Sequence, residues 1–180
     1  VFDPRSLRRN RGTPEQFIDS TTGATISNIS RRGKYLWLTL DTGEKTLALV
    51  IHLGMSGQLL IKSEDNRHSF QTEPEPEILP QLKHLKVLFS CTSPGGQPVE
   101  VWFVDQRIFG GVYIDEITPT DDGLAAGWSG VPEPFIPASV AHIARDPLDA
   151  AFTAEDLFRR LRKTRTSIKR ALLNQSIVSG

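Results

Sequence analysis

The 180 residues hold a single cysteine and carry no net charge, with 21 Lys and Arg against 21 Asp and Glu. A lone Cys91 cannot close an intrachain disulfide, so a reducing compartment is its natural setting. Nor does it anchor a structural metal, because His52, His68, His84 and His142 are scattered around it without zinc-site spacing. No apolar run approaches the roughly 20 residues of a membrane-spanning helix, and the first residues do not resemble a signal peptide, so the expected setting is the cytoplasm with no membrane partner. The chain has no Gly-rich nucleotide loop, no nucleophile elbow and no credible pair of catalytic carboxylates. The neutral total gives no support to an acidic partner.

The distribution of charge does give such support. From Val1 to Lys34 seven basic residues face three acids, and Arg159 to Arg170 adds seven more with none. A neutral sum can therefore conceal one positive face, although two ordinary solvated surfaces would read the same way.

The chain is organised around a central hairpin. Tyr35 to Leu40 can point side chains to two faces, Asp41-Thr42-Gly43-Glu44 supplies a turn, and Leu47 to Ile51 is apolar without alternation. That last run predicts a strand near the centre of a sheet, buried on both faces. Ahead of the hairpin, Val1 to Pro4 reads as the end of a strand, Thr13-Pro14-Glu15-Gln16 as a capped helix start, and Ala24 to Ile29 as a strand. Beyond it, strands are predicted at Gln58 to Lys62, Leu85 to Ser90, Val99 to Val104 and Val112 to Ile117. The acidic, Pro-broken stretch from Ser63 to Pro80 is expected to be a surface excursion.

These strands at hairpin spacing predict an α+β protein: an antiparallel β-sandwich over 1–117, a Pro- and Gly-rich linker over 118–137, and the start of a helical domain over 138–180. Thr153 caps a helix whose apolar stripe is Leu157, Phe158 and Leu161; Ser167 opens another with Ile168, Ala171 and Leu172 inward. One or two such helices cannot close a core alone, so the reading expects a chain cut at both ends.

Two Gly-flanked loops follow buried strands and present bulky residues. One carries Met55 within Leu53 to Gly57; the other carries Arg107 and Phe109 within Asp105 to Gly110. If they meet at one end of the sandwich, an apolar pair and a guanidinium share a tip suited to a base stack, the Arg offering two hydrogen bonds to a base edge or phosphate. The alternative is that Met55 and Phe109 plug the core while Arg107 pairs with Asp105. Lys34, beside Arg31 and Arg32, is placed to hold phosphate and, if partly desolvated, to transfer a proton, or is an ordinary solvated lysine. His52 and His84 are ligands or hydrogen-bonded structural residues.

Together Arg31-Arg32-Gly33-Lys34-Tyr35-Leu36, His52-Leu53-Gly54-Met55-Ser56-Gly57, Asp105-Gln106-Arg107-Ile108-Phe109-Gly110, Asp146-Pro147-Leu148 and Ile168 to Gln175 resemble the bacterial formamidopyrimidine-DNA glycosylases of the Fpg/Nei family, in order and spacing over essentially the whole chain. The resemblance implies a monomeric DNA glycosylase and AP lyase that excises 8-oxoguanine and formamidopyrimidines from double-stranded DNA by base flipping and Schiff-base chemistry. It implies a helix-two-turn-helix and a zinc finger in the complete protein, with no cofactor or metal in these residues.

By the same resemblance Lys34 is the proton donor of β-elimination. His84, Lys169, Arg165 and His52 contact DNA. Met55, Arg107 and Phe109 are the void-filling wedge, Arg107 reading the orphaned cytosine, and the 8-oxoguanine branch is favoured. The family's N-terminal Pro nucleophile is not here, since Pro4 has its nitrogen in an amide. These 180 residues alone are therefore expected not to cleave, and a non-catalytic DNA-binding or lesion-recognition module remains the alternative. Gln106 and Ile108 stand where Pro and Arg are commoner, and Arg145-Asp146 where Pro-Glu is.

Overall fold

The computed structural model describes residues 1–63 and 83–179, so the excursion expected from Ser63 to Pro80 lies, from residue 64 on, outside the described residues. The chain forms two compact units, Val1–Arg9 with His52–Val112, and Asn10–Ile51 with Tyr113–Gly180. The fold is the expected α+β class with antiparallel sheets.

The first unit holds β4 (Gln58–Ser63), β5 (Leu85–Thr92) and β6 (Pro98–Val104) in the order β4-β6-β5. The register pairs Leu59 and Val87 with Phe103, which is fully buried, and Leu60 and Leu88 with Trp102. Lys62 lies over the Trp102 ring at 3.8 Å, a cation–π contact, and the Trp102 indole N–H donates to Glu100 (2.9 Å). Val1 to Pro4 is not the end of a strand. Asp3 caps a short 3-10 helix, Pro4–Leu7, whose lead-in is tied to β5 by a bond from Phe2 N–H to the Lys86 carbonyl (2.8 Å). Asp3 also meets the buried Lys86 ammonium at 3.3 Å. Its hydrogen bond with the Arg5 guanidinium holds its carboxyl well below the usual carboxylate range.

The second unit opens with α1 (Pro14–Thr21), started by the full capping box in which Thr13 accepts from Gln16 N–H and the Gln16 side chain accepts from Thr13 N–H. Its six-stranded sheet runs β8-β1-β2-β3-β7-β9 with β1 (Thr25–Arg32), β2 (Tyr35–Asp41), β3 (Thr46–His52), β7 (Gly111–Pro119), β8 (Trp128–Ser129) and β9 (Phe135–Pro137). As its composition predicted, β3 sits inside the sheet with Leu47 to Ile51 buried. The core joins Trp37, Val50, Tyr113, Ile136, Val140 and Ile143. Each fully buried Val or Ile among them contributes roughly 1.5–3 kcal/mol.

Residues 118–137, expected as an aperiodic linker, carry β8 and β9, one on each edge of this sheet, and give Ala126 and Ile136 to its core. Strands of two and three residues are too short to show a period, so their pairing partners define them. Beyond them, α2 (Ala154–Arg162) begins as predicted, with Thr153 accepting from Asp156 N–H (3.2 Å).

The apolar stripe of α2 is partly covered, Leu157 and Leu161 being half-buried, and the inward face expected of the next helix is largely not met. Phe158 is 61% exposed beneath Arg162, and in α3 (Ile168–Leu172) only Ala171 is buried, Ile168 and Leu172 being exposed. Ser167 sits at the N-cap of α3 but makes no capping bond. With five residues, α3 has too few turns to seat a whole face.

Candidate functional site

Met55 and Phe109 are 69% and 51% exposed, so neither plugs the core. Arg107 is exposed too, with Nη1 3.9 Å from Met55 Sδ, and the three predicted wedge residues share one tip of the first unit. Glycine makes that approach possible. Gly54 has φ +62°, and a Cβ there would stand 2.6 Å from Gly110 N and 2.7 Å from the Phe109 carbonyl carbon, so the two loops touch backbone to backbone.

Beneath the tip lies Asp105, 1% exposed at the end of β6. Its Oδ1 accepts from Ser56 Oγ (2.6 Å) and Arg107 N–H (3.1 Å), and its Oδ2 from Gly110 N–H (2.8 Å). The expected alternative of an Arg107–Asp105 ion pair is therefore replaced by a bond through the Arg107 main chain, which leaves the guanidinium at the tip. Burial pushes the Asp105 carboxyl up, but the bonds from Ser56, Gly110, Arg107 and Ile108 outweigh it and hold the group below the usual range. Asp105 N–H in turn donates to the His84 carbonyl (2.9 Å), fixing His84 at the root of the loop. His52, half-buried at the end of β3, passes close to the same loop, since a Cβ on Gly110 would lie 2.6 Å from the His52 carbonyl oxygen.

Ile108 is the one non-glycine among the described residues with a positive φ, at 57°. A β-branched side chain is strongly disfavoured there. Outside the loop, Arg8 Nη1 donates to the Ile108 carbonyl (2.5 Å) and Nη2 to the Phe109 carbonyl (2.8 Å).

In the second unit Lys34 is exposed at the tip of the β1–β2 hairpin, where Arg32 pairs with Tyr35 and Gly33 takes the positive φ (55°) of a two-residue turn. Gly33 is itself covered, with Gln175 Oε1 and Ser179 Cβ 2.9 and 3.1 Å from where its Cβ would be. Arg31 is exposed, but Arg32 does not join it as a phosphate-holding cation. Strand alternation turns Arg32 inward to 7% exposure, where it donates to the Ala126 (2.5 Å) and Ile143 (3.1 Å) carbonyls. Burial and the Arg145 charge push its guanidinium down to about 10, still cationic at neutral pH.

Of the basic run from residue 159 to 170, Arg159 and Arg160 are paired with Asp156, while Arg165 and Lys169 are exposed. Arg145, one of the departures noted above, is a structural centre, 7% exposed and ion-paired to Asp122 (2.7 Å) and Asp149 (3.0 Å).

Sequence reasoning missed Asp105, Ser56 and Arg8. An acid opening a Gly-terminated loop was a usable signal for Asp105, since such residues accept from nearby backbone N–H groups. Nothing local marks Arg8, whose partners are 100 and 101 residues away.

These elements define an antiparallel α+β protein that lifts an apolar and cationic tip on two interlocked loops. Its family membership follows from comparison. The family model of the formamidopyrimidine-DNA glycosylase N-terminal domain matches residues 1–112, and the chain belongs to that family. It is 42% identical, over 98% of its length and 54% of the relative's, to the formamidopyrimidine-DNA glycosylase of Kineococcus radiotolerans, and 40% identical to that of Thermobifida fusca over 100% and 53%. The chain thus spans about half the length of these curated relatives.

Among solved structures, Lactococcus lactis FPG (MutM) in complex with FAPY-dG-containing DNA shares the fold at TM-score 0.58 and 23% identity, covering 99% of this chain and 53% of that one. MutM in complex with DNA containing carbocyclic 8-oxo-G does so at 0.57 and 22%, covering 98% and 53%.

Proposed function

We propose that the chain is the lesion-probing part of a base-excision glycosylase and AP lyase acting on oxidised purines in double-stranded DNA. The observation that carries the reading is the shared exposure of Met55, Arg107 and Phe109 on loops braced by a buried carboxylate. Met55 and Phe109 fill the space a flipped base leaves, and Arg107 offers paired donors to the edge of the orphaned base. Removing the base from the stack costs a few kcal/mol, which the inserted apolar surface offsets.

Lys34, on an exposed hairpin tip, holds phosphate and gives the proton in β-elimination; Arg165, Lys169, His84 and His52 supply further contacts to the DNA backbone. The protein works as a monomer in the cytoplasm. No described helix is long and apolar enough to cross a membrane. The zinc of the family's finger does not fit here: Cys91 stands alone, and the described His, Cys, Asp and Glu residues form no cluster of three that could hold a metal.

The test is a salt titration with duplexes carrying 8-oxoguanine or guanine opposite cytosine, followed by excision assays on the native polypeptide that carries this sequence. Binding is expected to weaken steeply with salt, by about one order of magnitude or more between 50 and 200 mM, and to favour the lesion. Salt-independent binding or none overturns the reading. Lesion-selective binding without excision by the native polypeptide would leave a recognition module.

A further inference from the structure

We propose that Arg8 is a positioning residue that latches the probing loop in its working shape; the inference rests on the reading of Met55, Arg107 and Phe109 as a wedge. The loop from Asp105 to Gly110 is held from two sides by opposite chemistry. Its N–H groups at Arg107 and Gly110 point inward to the Asp105 carboxylate. Its carbonyls at Ile108 and Phe109 point outward, and one guanidinium takes both, Nη1 at 2.5 Å and Nη2 at 2.8 Å.

A planar fork with two parallel donors suits two successive carbonyls, and a single ammonium does not. The peptide units on either side of the Phe109 Cα are thus fixed, and the direction of its half-exposed ring with them.

The loop needs such a brace because Ile108 occupies the left-handed region at φ 57°, where a β-branched residue does not rest unaided. Releasing the two carbonyls lets Ile108 fall back to negative φ, which swings the plane carrying Phe109. Arg8 reaches the loop from the segment after the 3-10 helix, and that segment is anchored. Arg5 pairs with Asp3 at 2.8 Å, Asp3 with Lys86 at 3.3 Å, and Ser6 and Leu7 are buried. The latch therefore hangs from a fixed point.

The experiment compares Arg8→Ala and Arg8→Lys with the unaltered chain, alone and in an Ile108→Gly background. Without DNA, amide hydrogen exchange at Arg107 and Gly110 is expected to accelerate about tenfold in Arg8→Ala and less in Arg8→Lys. In Ile108→Gly, where no strain remains to be held, the same change is expected to shrink to about threefold or less. With DNA, the probe is a duplex holding 8-oxoguanine opposite cytosine and 2-aminopurine beside the lesion.

The unaltered chain should raise the 2-aminopurine fluorescence. Arg8→Ala should cut that rise about fivefold while affinity for undamaged duplex changes by less than about twofold. Unchanged exchange in Arg8→Ala overturns the latch. So does an equal loss of affinity for undamaged DNA with the salt slope reduced by about one, which would make Arg8 a phosphate contact. If the unaltered chain gives no fluorescence rise, the wedge reading fails, and the DNA-free exchange result still decides the latch.

Discussion

Replacing Asp105 by Asn removes one charge and little volume, which makes it the cleanest probe of how the tip is built. The carboxylate takes Ser56 and Arg107 on one oxygen and Gly110 on the other, at 1% exposure. An asparagine has two ways to sit. With its nitrogen toward Gly110 it would face a buried N–H donor, so that orientation is rejected. With its nitrogen toward Ser56, the hydroxyl can rotate to accept, and Arg107 N–H keeps Ser56 Oγ at 3.3 Å as its remaining acceptor.

The loss is then the Arg107 N–H bond to Oδ1, whose place the amide nitrogen takes, together with the charge-assisted part of the other two, about 1.5–3 kcal/mol. Asp105→Ala loses all the acceptors and should cost about 3 kcal/mol or more. Urea unfolding gives the free energies, and amide exchange at Arg107 and Gly110 shows whether the loss is local. Asp105→Asn within about 0.5 kcal/mol of the original, with exchange unchanged, would refute the bracing role.

The remaining expectations concern other parts of the molecule. Because the folded-state Asp105 carboxyl lies below its unfolded value, its stabilisation is complete above the unfolded pKa of about 4 and is lost as pH falls through the folded value; Asp105→Asn should flatten stability against pH in that acid window, read by thermal unfolding. Gly54→Ala forces a Cβ against the Gly110 and Phe109 backbone at φ +62° and should destabilise by about 1–3 kcal/mol while displacing Phe109, visible in its ring resonances. Arg32→Ala strips two buried carbonyls of their donor and should cost about 2–4 kcal/mol by urea unfolding, unlike Arg31→Ala on the exposed face, within about 0.5 kcal/mol. Lys34→Ala should leave stability unchanged and lower the slope of log affinity against log salt by about one.

What the sequence disclosed tracks the range of the interactions involved. The Thr13 capping box, the helix start at Thr153 and the doubly buried strand from Leu47 to Ile51 are local signals, and each appears where the residues put it. The meeting of Met55 with Arg107 was legible only as a possibility, since 52 residues separate them. Arg32 shows a subtler limit. On β1 the inward residues Asn28, Ser30 and Arg32 are polar and the outward Ile29 is apolar, the reverse of the usual pattern.

That inversion holds because the inward groups bond to the following chain, Asn28 Nδ2 to the Val131 carbonyl and Arg32 Nε to the Ala126 carbonyl. Period-2 alternation alone would have separated Arg31 from Arg32; polarity argued the other way. Exposed Phe158 on α2 and exposed Ile168 and Leu172 on α3 show the converse: an apolar stripe at helical spacing says that a face can be buried, not what buries it.

Lesion probing rests most directly on what Met55 and Phe109 do when the chain meets a damaged duplex. Affinity of the double variant Met55→Ala with Phe109→Ala should be measured on duplexes carrying 8-oxoguanine or guanine opposite cytosine, at one fixed salt concentration. The lesion preference is predicted to fall by about tenfold or more while binding to the undamaged duplex stays within about threefold. An undiminished preference for the lesion would contradict it.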